Sequence, residues 1–414
     1  MACISSQQVP QELIDKIVNE LHDHRKSLKA CKSVCRAFRS PAEAILFRRV
    51  SLSRSASISR LFKVSPGVLN SVREATIYES VESTDADVMT KAIAALVKLN
   101  TIEVTRMTWV PDTYRITPAV VSVLRTLPIK TLTLDEVIFR DIVQFAGFMD
   151  TFPGVENISL EHVYCHIVSK NDKAPVSSRT NVIRSLHLSV NEISSNILRA
   201  VADSSLGSLA ELKSLTYVGN PKGKEVPPLL TLVQNPSLQD LCVNGDIPVV
   251  NLSHIKTLVI HLAKVAYTQE FCTSLSLWTD CLACGKESSL NKLTIHLDVK
   301  HQLSEDDAKQ WAVLDKVLSA SRFPELALFR IILKVAGGID AEQTKELIKT
   351  HCPTLCTRNV CTLEVEGSSD SQNDVESDSE SADDGNESTG GDNESTGDDN
   401  ESTGGDGGSA EGDD

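Results

Sequence analysis

The 414-residue chain lacks the sequence marks of the common enzyme classes. It has no Gly-rich phosphate loop, no Gly-rich dinucleotide turn, no G-x-S-x-G and no H-E-x-x-H. No stretch approaches 18 consecutive apolar residues, so no membrane-spanning helix is expected. The opening Met1-Ala2-Cys3-Ile4-Ser5-Ser6 is not a charged region followed by a long apolar run, so a secretory signal is not expected. Eleven cysteines are an odd and scattered set for a disulfide framework. Most fall on apolar stripes, as Cys31, Cys35 and Cys242 do. Reduced thiols in cytosol or nucleus are therefore expected. Cys281-Leu282-Ala283-Cys284 is half a zinc or thiol-redox motif. Its possible partners Cys272, Cys352, Cys356 and Cys361 are spaced like no zinc ribbon. No metal, no cofactor and no catalytic activity are expected.

Basic residues are absent after Gly367, where 17 of the 56 acids lie. That leaves 39 acids against 41 bases in the rest of the chain. The net charge of −15 thus belongs to the tail. Residues 367–414 are low in complexity, and Asn-Glu-Ser-Thr-Gly recurs at Asn386, Asn393 and Asn400. With so few apolar residues this segment is expected to be disordered. Ser377, Ser379 and Ser381 lie among acids, a setting for an acid-directed kinase.

The middle of the chain is a degenerate repeat. L-x-x-L-x-L recurs at Leu99-Ile102-Val104, Ile129-Leu132-Leu134, Val155-Ile158-Leu160 and Ile183-Leu186-Leu188. It continues at Leu212-Leu215-Tyr217, Leu238-Leu241-Val243, Ile255-Leu258-Ile260 and Leu290-Leu293-Ile295. Val72-Ala75-Ile77 is a weak first copy, and Leu326 to Leu333 can hold a last one. Helical patterns follow Thr84, Thr117 and Ser304, the last an S-x-x-D start. The spacing narrows and then widens after Leu241, so the array either becomes irregular or carries an insertion near residues 264–289. Asn191, Asn220, Asp246 and Asp298 fall at the ninth position, where a polar side chain serves the turn out of a strand. These features resemble leucine-rich repeats, which implies an α/β solenoid over residues 72–366. Its parallel strands would line the concave side and its helices the outside.

Residues 9–50 are the most informative. Pro10 and Glu12 open a helix carrying Leu13, Ile14, Ile17, Val18 and Leu21, read as one apolar face. A second helix is expected from Ser27, with Leu28, Cys31, Cys35 and Phe38 on its stripe and Val34 beside it. Ser40-Pro41-Ala42-Glu43 reads as a capping box that starts a third. So small a three-helix core is marginal alone, and the apolar surplus suits a helix-in-groove contact. The Val9-Pro10 pair, the spaced Leu13, Ile17 and Leu21, and Val34-Cys35-Arg36 with Phe38 resemble an F-box. The longer polar loop Asp23-His24-Arg25-Lys26 and the Leu-Phe-Arg-Arg-Val ending resemble F-box proteins of mushroom-forming fungi.

The resemblance implies a handle (1–52), a linker (53–71), a receptor domain and the tail. Val9, Pro10, Leu13, Ile17, Leu28, Val34 and Cys35 would then touch or support a Skp-type adaptor, and through it a cullin. A protein substrate would sit on the outward strand residues. Asp135, Glu161, His187, Thr216, Asn244, His261 and His296 represent that surface, which carries no basic stripe for nucleic acid. His187, His261 and His296 hold equivalent repeat positions and are read as surface histidines. Two other readings stay open: a scaffold whose first helices pack only on the first repeat, and a thiol enzyme using Cys281 and Cys284.

Overall fold

The computed structural model describes residues 9–52, 58, 61, 66–78, 86–109, 118–166, 181–189, 193–203, 207–220, 223–245, 247–262, 268–284, 287–358 and 360–366. The acidic tail, Thr84, Thr117, Asn191 and Asp246 lie outside these residues. Three helices open the chain: α1 (Gln11–Glu20), α2 (Arg25–Val34) and α3 (Arg36–Leu46). Ile14, Val18, Leu28 and Ala42 form their small core, with Leu21, Phe38, Ile45 and Leu46 packed around it.

The order of these helices departs from expectation in two places. The second begins at Arg25, ahead of Ser27. Ser40-Pro41-Ala42-Glu43 starts no helix, because α3 is already running from Arg36 and carries Pro41 inside it. Proline has no N–H for the carbonyl four residues back, here that of Ala37. The Gln11 Nε2 donates to that oxygen at 3.3 Å, so the proline that would break α3 instead ties it to α1. Glu43, expected as the box acid, pairs with Lys32 of α2 at 3.1 Å.

A single parallel sheet follows. Its strands are β1 (Arg49–Leu52), β2 (Glu74–Tyr78), β3 (Thr101–Trp109), β4 (Thr131–Phe139), β5 (Asn157–Cys165) and β6 (Ser185–Ser189). They continue as β7 (Ser214–Val218), β8 (Asp240–Asn244), β9 (Thr257–Leu262), β10 (Lys292–Val299), β11 (Leu328–Val335) and β12 (Cys361–Glu366). All twelve pair in chain order, each with the next. The repeated apolar residues are register partners: Ile102 beside Leu132, Leu132 beside Ile158, Ile158 beside Leu186. Nearly all are buried, in one core continuous from Val50 to Leu355. Alternation along a strand leaves the intervening residues on the opposite, open face.

Helices close the core from the other side. They are α4 (Pro66–Leu69), α5 (Ala86–Ala95), α6 (Pro118–Leu124), α7 (Ile142–Met149), α8 (Ser195–Ala202) and α9 (Val226–Val233). After these come α10 (Thr268–Ala283), α11 (Glu305–Leu318), α12 (Ala341–His351) and α13 (Pro353–Thr357). Ser304 caps α11 through the reciprocal bonds with Asp307 that its spacing predicts. The expected insertion near residues 264–289 is α10, sixteen residues long. Asp298 does not serve a turn; it lies within β10. Val97 follows the end of α5 and is exposed.

Two strands escaped the repeat reading, although the signal was there. Phe47-x-x-Val50-x-Leu52 and Val360-x-x-Leu363-x-Val365 carry the same spacing, and β1 and β12 form on them. β1 occupies the end of the segment assigned to the handle and pairs with β2.

A backbone ladder sets the register. From β1 to β11, the carbonyl before each strand accepts the two N–H groups that open the next. Asn100 O takes Lys130 N and Thr131 N, Lys130 O takes Glu156 N and Asn157 N, and Glu156 O takes Arg184 N and Ser185 N. At the other end of the strands, the turns leaving β7 and β8 stack tightly. Gly245 has φ +133°, and a Cβ there would lie 2.4 Å from Gly219 O and 2.6 Å from Asn220 Oδ1. We therefore expect Gly245→Ala to cost about 2 kcal/mol or more, through strain and clash together. Urea unfolding of the two proteins measures it.

Candidate functional site

The first candidate surface is on the three helices. The stripe expected as one face of α1 divides in two. Ile14 and Val18 turn into the core, while Leu13 and Ile17 remain 52% and 50% exposed. Val9 and Val34 are 55% and 67% exposed. Ile14 and Val18 already fill the inner contact, so the neighbouring apolar residues on α1 are left over. Gln11, between Val9 and Leu13, bonds to Ala37 just past the α2–α3 junction. The N-terminal end of α1 therefore lies beside the start of α3, which Cys35 caps. Pro10 caps α1 in an exposed position, and Cys35 caps α3, also exposed, rather than lying on an apolar stripe. Leu28 differs from the others: it is 2% exposed and supports the surface from within.

The second surface is the open face of the sheet. All seven residues expected there, Asp135, Glu161, His187, Thr216, Asn244, His261 and His296, are half-buried on β4 to β10. They form two rows. Asp135 and Glu161 are register partners, as are Asn244, His261 and His296. His187 and Thr216 pair in the neighbouring row. Ser189, two residues after His187 on β6, is buried.

The β3–β6 end is charged. His162 Nδ1 and Asp135 Oδ1 are 3.0 Å apart, Arg106 donates to Glu136 at 2.8 Å, and His187 Nε2 is 3.6 Å from Glu161. Arg106, Glu136 and His162 hold φ of 55°, 54° and 50° at the same place in three successive strands. This left-handed residue costs a non-glycine about 1 kcal/mol. It inserts one residue into each strand, so that Leu134 and Val137, three apart, both point inward. Periodicity alone does not reveal it, since a bulge breaks the period-2 pattern on which the reading rests. Next to Asp135 in register is Thr105, whose buried Oγ1 has no hydrogen-bond partner. Neither Thr105 nor Glu103, which accepts from Thr76 at 2.9 Å, stood out in the sequence.

The β8–β12 end carries stacked imidazoles. The rings of His261 and His296 lie 4.1 Å apart at an interplanar angle of 11°. Burial holds both below the ordinary histidine pKa. His296 further lowers His261, Arg330 lowers His296, and Glu366 opposes the shift at both. His187 is three strands from His261, about 14 Å away at the usual strand spacing. Among the described residues no group of three His, Cys, Asp or Glu could hold a metal ion.

Cys281 offers little nucleophilic character. The nine cysteines whose side chains are described are free. Cys281 is buried near the C-terminal end of α10, and burial pushes its thiol up to about 11. A thiolate at neutral pH requires the opposite shift. Among the described residues no helix is long and apolar enough to cross a membrane. No protein-family model matches the chain, and no curated protein matches its sequence.

The histidine pair sets a pH dependence. Unfolded imidazoles take up protons from about pH 6.5 downward, while the folded pair stays neutral to lower pH. The unfolded state then binds more protons, and stability falls as pH drops below 6.5. We expect His261→Gln with His296→Gln to flatten this loss in melting curves between neutral and mildly acidic pH. In a separate test, Thr105→Val, which removes the unpartnered hydroxyl at similar volume, should stabilise the fold by about 1 kcal/mol in urea.

Proposed function

We propose that the three helices act as an F-box and the sheet domain as a leucine-rich-repeat receptor. The chain would then be the substrate-recognition subunit of a Skp–cullin–F-box ubiquitin ligase. The observation that supports this most is the exposure of Leu13 and Ile17 beside a complete inner core. Apolar residues one turn apart on an exposed helix are what a groove-binding helix presents. Val9, Pro10, Val34 and Cys35 extend the contact at the near end of α1, and Leu28 holds the helices behind it. The open face, polar and half-buried, suits a protein ligand held by hydrogen bonds and charge. Such a subunit needs no catalytic groups of its own. Its contribution is to bring substrate and ubiquitin-carrying partners together. On this reading the protein works in the cytosol or nucleus.

The scaffold alternative requires Leu13 and Ile17 to be covered by the first strands, and both are open to solvent.

The test is capture of the full chain by a Skp-type adaptor. Leu13→Ala with Ile17→Ala should abolish capture and leave the melting temperature within a degree or so of wild type. Each truncated anchor typically costs ~2 kcal/mol, enough together to lose a micromolar complex. Leu28→Ala should behave differently, losing about 2–5 kcal/mol of stability in the helical segment. Wild-type capture by the double variant would remove the F-box reading.

A further inference from the structure

We propose that the β3–β5 part of the open face binds a peptide segment carrying clustered lysine or arginine. This rests on the reading of the sheet as a substrate receptor and names the class of substrate.

Glu103, Asp135, Glu136 and Glu161 bring four carboxylates to three neighbouring strands. Arg106, bound to Glu136, is the fixed cation among them. Counting imidazoles as neutral, three negative charges remain uncompensated. Glu103 accepts from a threonine hydroxyl, Asp135 faces His162, and Glu161 faces a serine hydroxyl and His187. The carboxylates do not converge on one point: among the described residues no trio could hold a metal ion. Spread charge of this kind is met by several cations along a chain. Two strand spacings put Glu103 and Glu161 about 10 Å apart across the sheet, close to three residues of an extended peptide.

Thr105 points to a ligand independently of the acids. It is 8% exposed, its Oγ1 lacks a partner, and register places it between Tyr78 and Asp135 on this same face. A buried hydroxyl is normally bonded. A donor or acceptor on a bound segment supplies the missing bond when the side chains that now cover the hydroxyl move aside. A cleft of about 990 Å³ adjoins the site, with Glu103, Thr76 and Tyr78 on its sheet side and Arg25, Arg48 and Arg49 also in its lining, the last two sharing Glu74. It gives room beside the helices to a flank of the segment that carries no cations, which confines the basic residues to β3–β5.

The experiment uses the full chain and two labelled peptides, one alternating lysine with serine and one alternating glutamine with serine. Fluorescence anisotropy should show binding of the lysine peptide alone, weakening as salt rises. Glu103→Gln with Asp135→Asn and Glu161→Gln should weaken it about tenfold, three exposed ion pairs being worth roughly that together. Thr105→Val should weaken it severalfold. Equal binding of the two peptides overturns the proposal, as does wild-type affinity in either variant. Adaptor capture is measured on the same preparations. Peptide binding without adaptor capture removes the ligase reading and leaves the site. Adaptor capture without peptide preference removes the site alone.

Discussion

Twelve parallel strands in chain order stay paired only if every turn into a strand meets the preceding one at the same height. The ladder of shared carbonyls does this: one backbone oxygen per repeat receives two N–H groups from the next. Repeats vary in length between these rungs. The stretch from Asn244 to Thr257 has no helix among the described residues, whereas the next connection holds the sixteen-residue α10. Both return to the ladder, and the apolar pairs of β8, β9 and β10 stay in register.

Register has a consequence for the open face. Because side chains alternate, one inward row buried without a slip brings every outward residue into a defined row. His261 and His296 stack because their strands are in register, and Thr105, Asp135 and Glu161 line up for the same reason. The ion-pair chain Lys130–Glu156–Arg184–Glu211 crosses the same strands at the turns that precede them. Exposed pairs of this sort add little stability. Their use is to keep neighbouring turns aligned.

The helical segment follows a different logic. Its core is separate from that of the sheet and very small. Ile14 and Val18 fill it, so Leu13 and Ile17 have no inner place to go. Pro41 within α3 frees a carbonyl, and Gln11 uses it to fix the angle of α1. Arg48 and Arg49, both bound to Glu74, connect the end of these helices to the first two strands.

Local spacing was enough to read the parallel repeat, the buried apolar set, the cap at Ser304 and the apolar surplus near residue 13. Those features depend on neighbours within a few residues. The split of the α1 stripe, the burial of Leu28 and the failure of the Ser40 capping box were not legible in this way. Each is decided by what lies opposite in space: a helix face has no inside until another helix covers it, and α3 could absorb Pro41 because Gln11 stood ready. The bulges at Arg106, Glu136 and His162 and the unpartnered Thr105 belong to the same class, since they arise from stacking one repeat on the next. The sequence by itself determined which residues are buried along each strand, because burial follows alternation. Only the tertiary structure decided which outward residues meet, because that depends on register between segments some 17 to 36 residues apart.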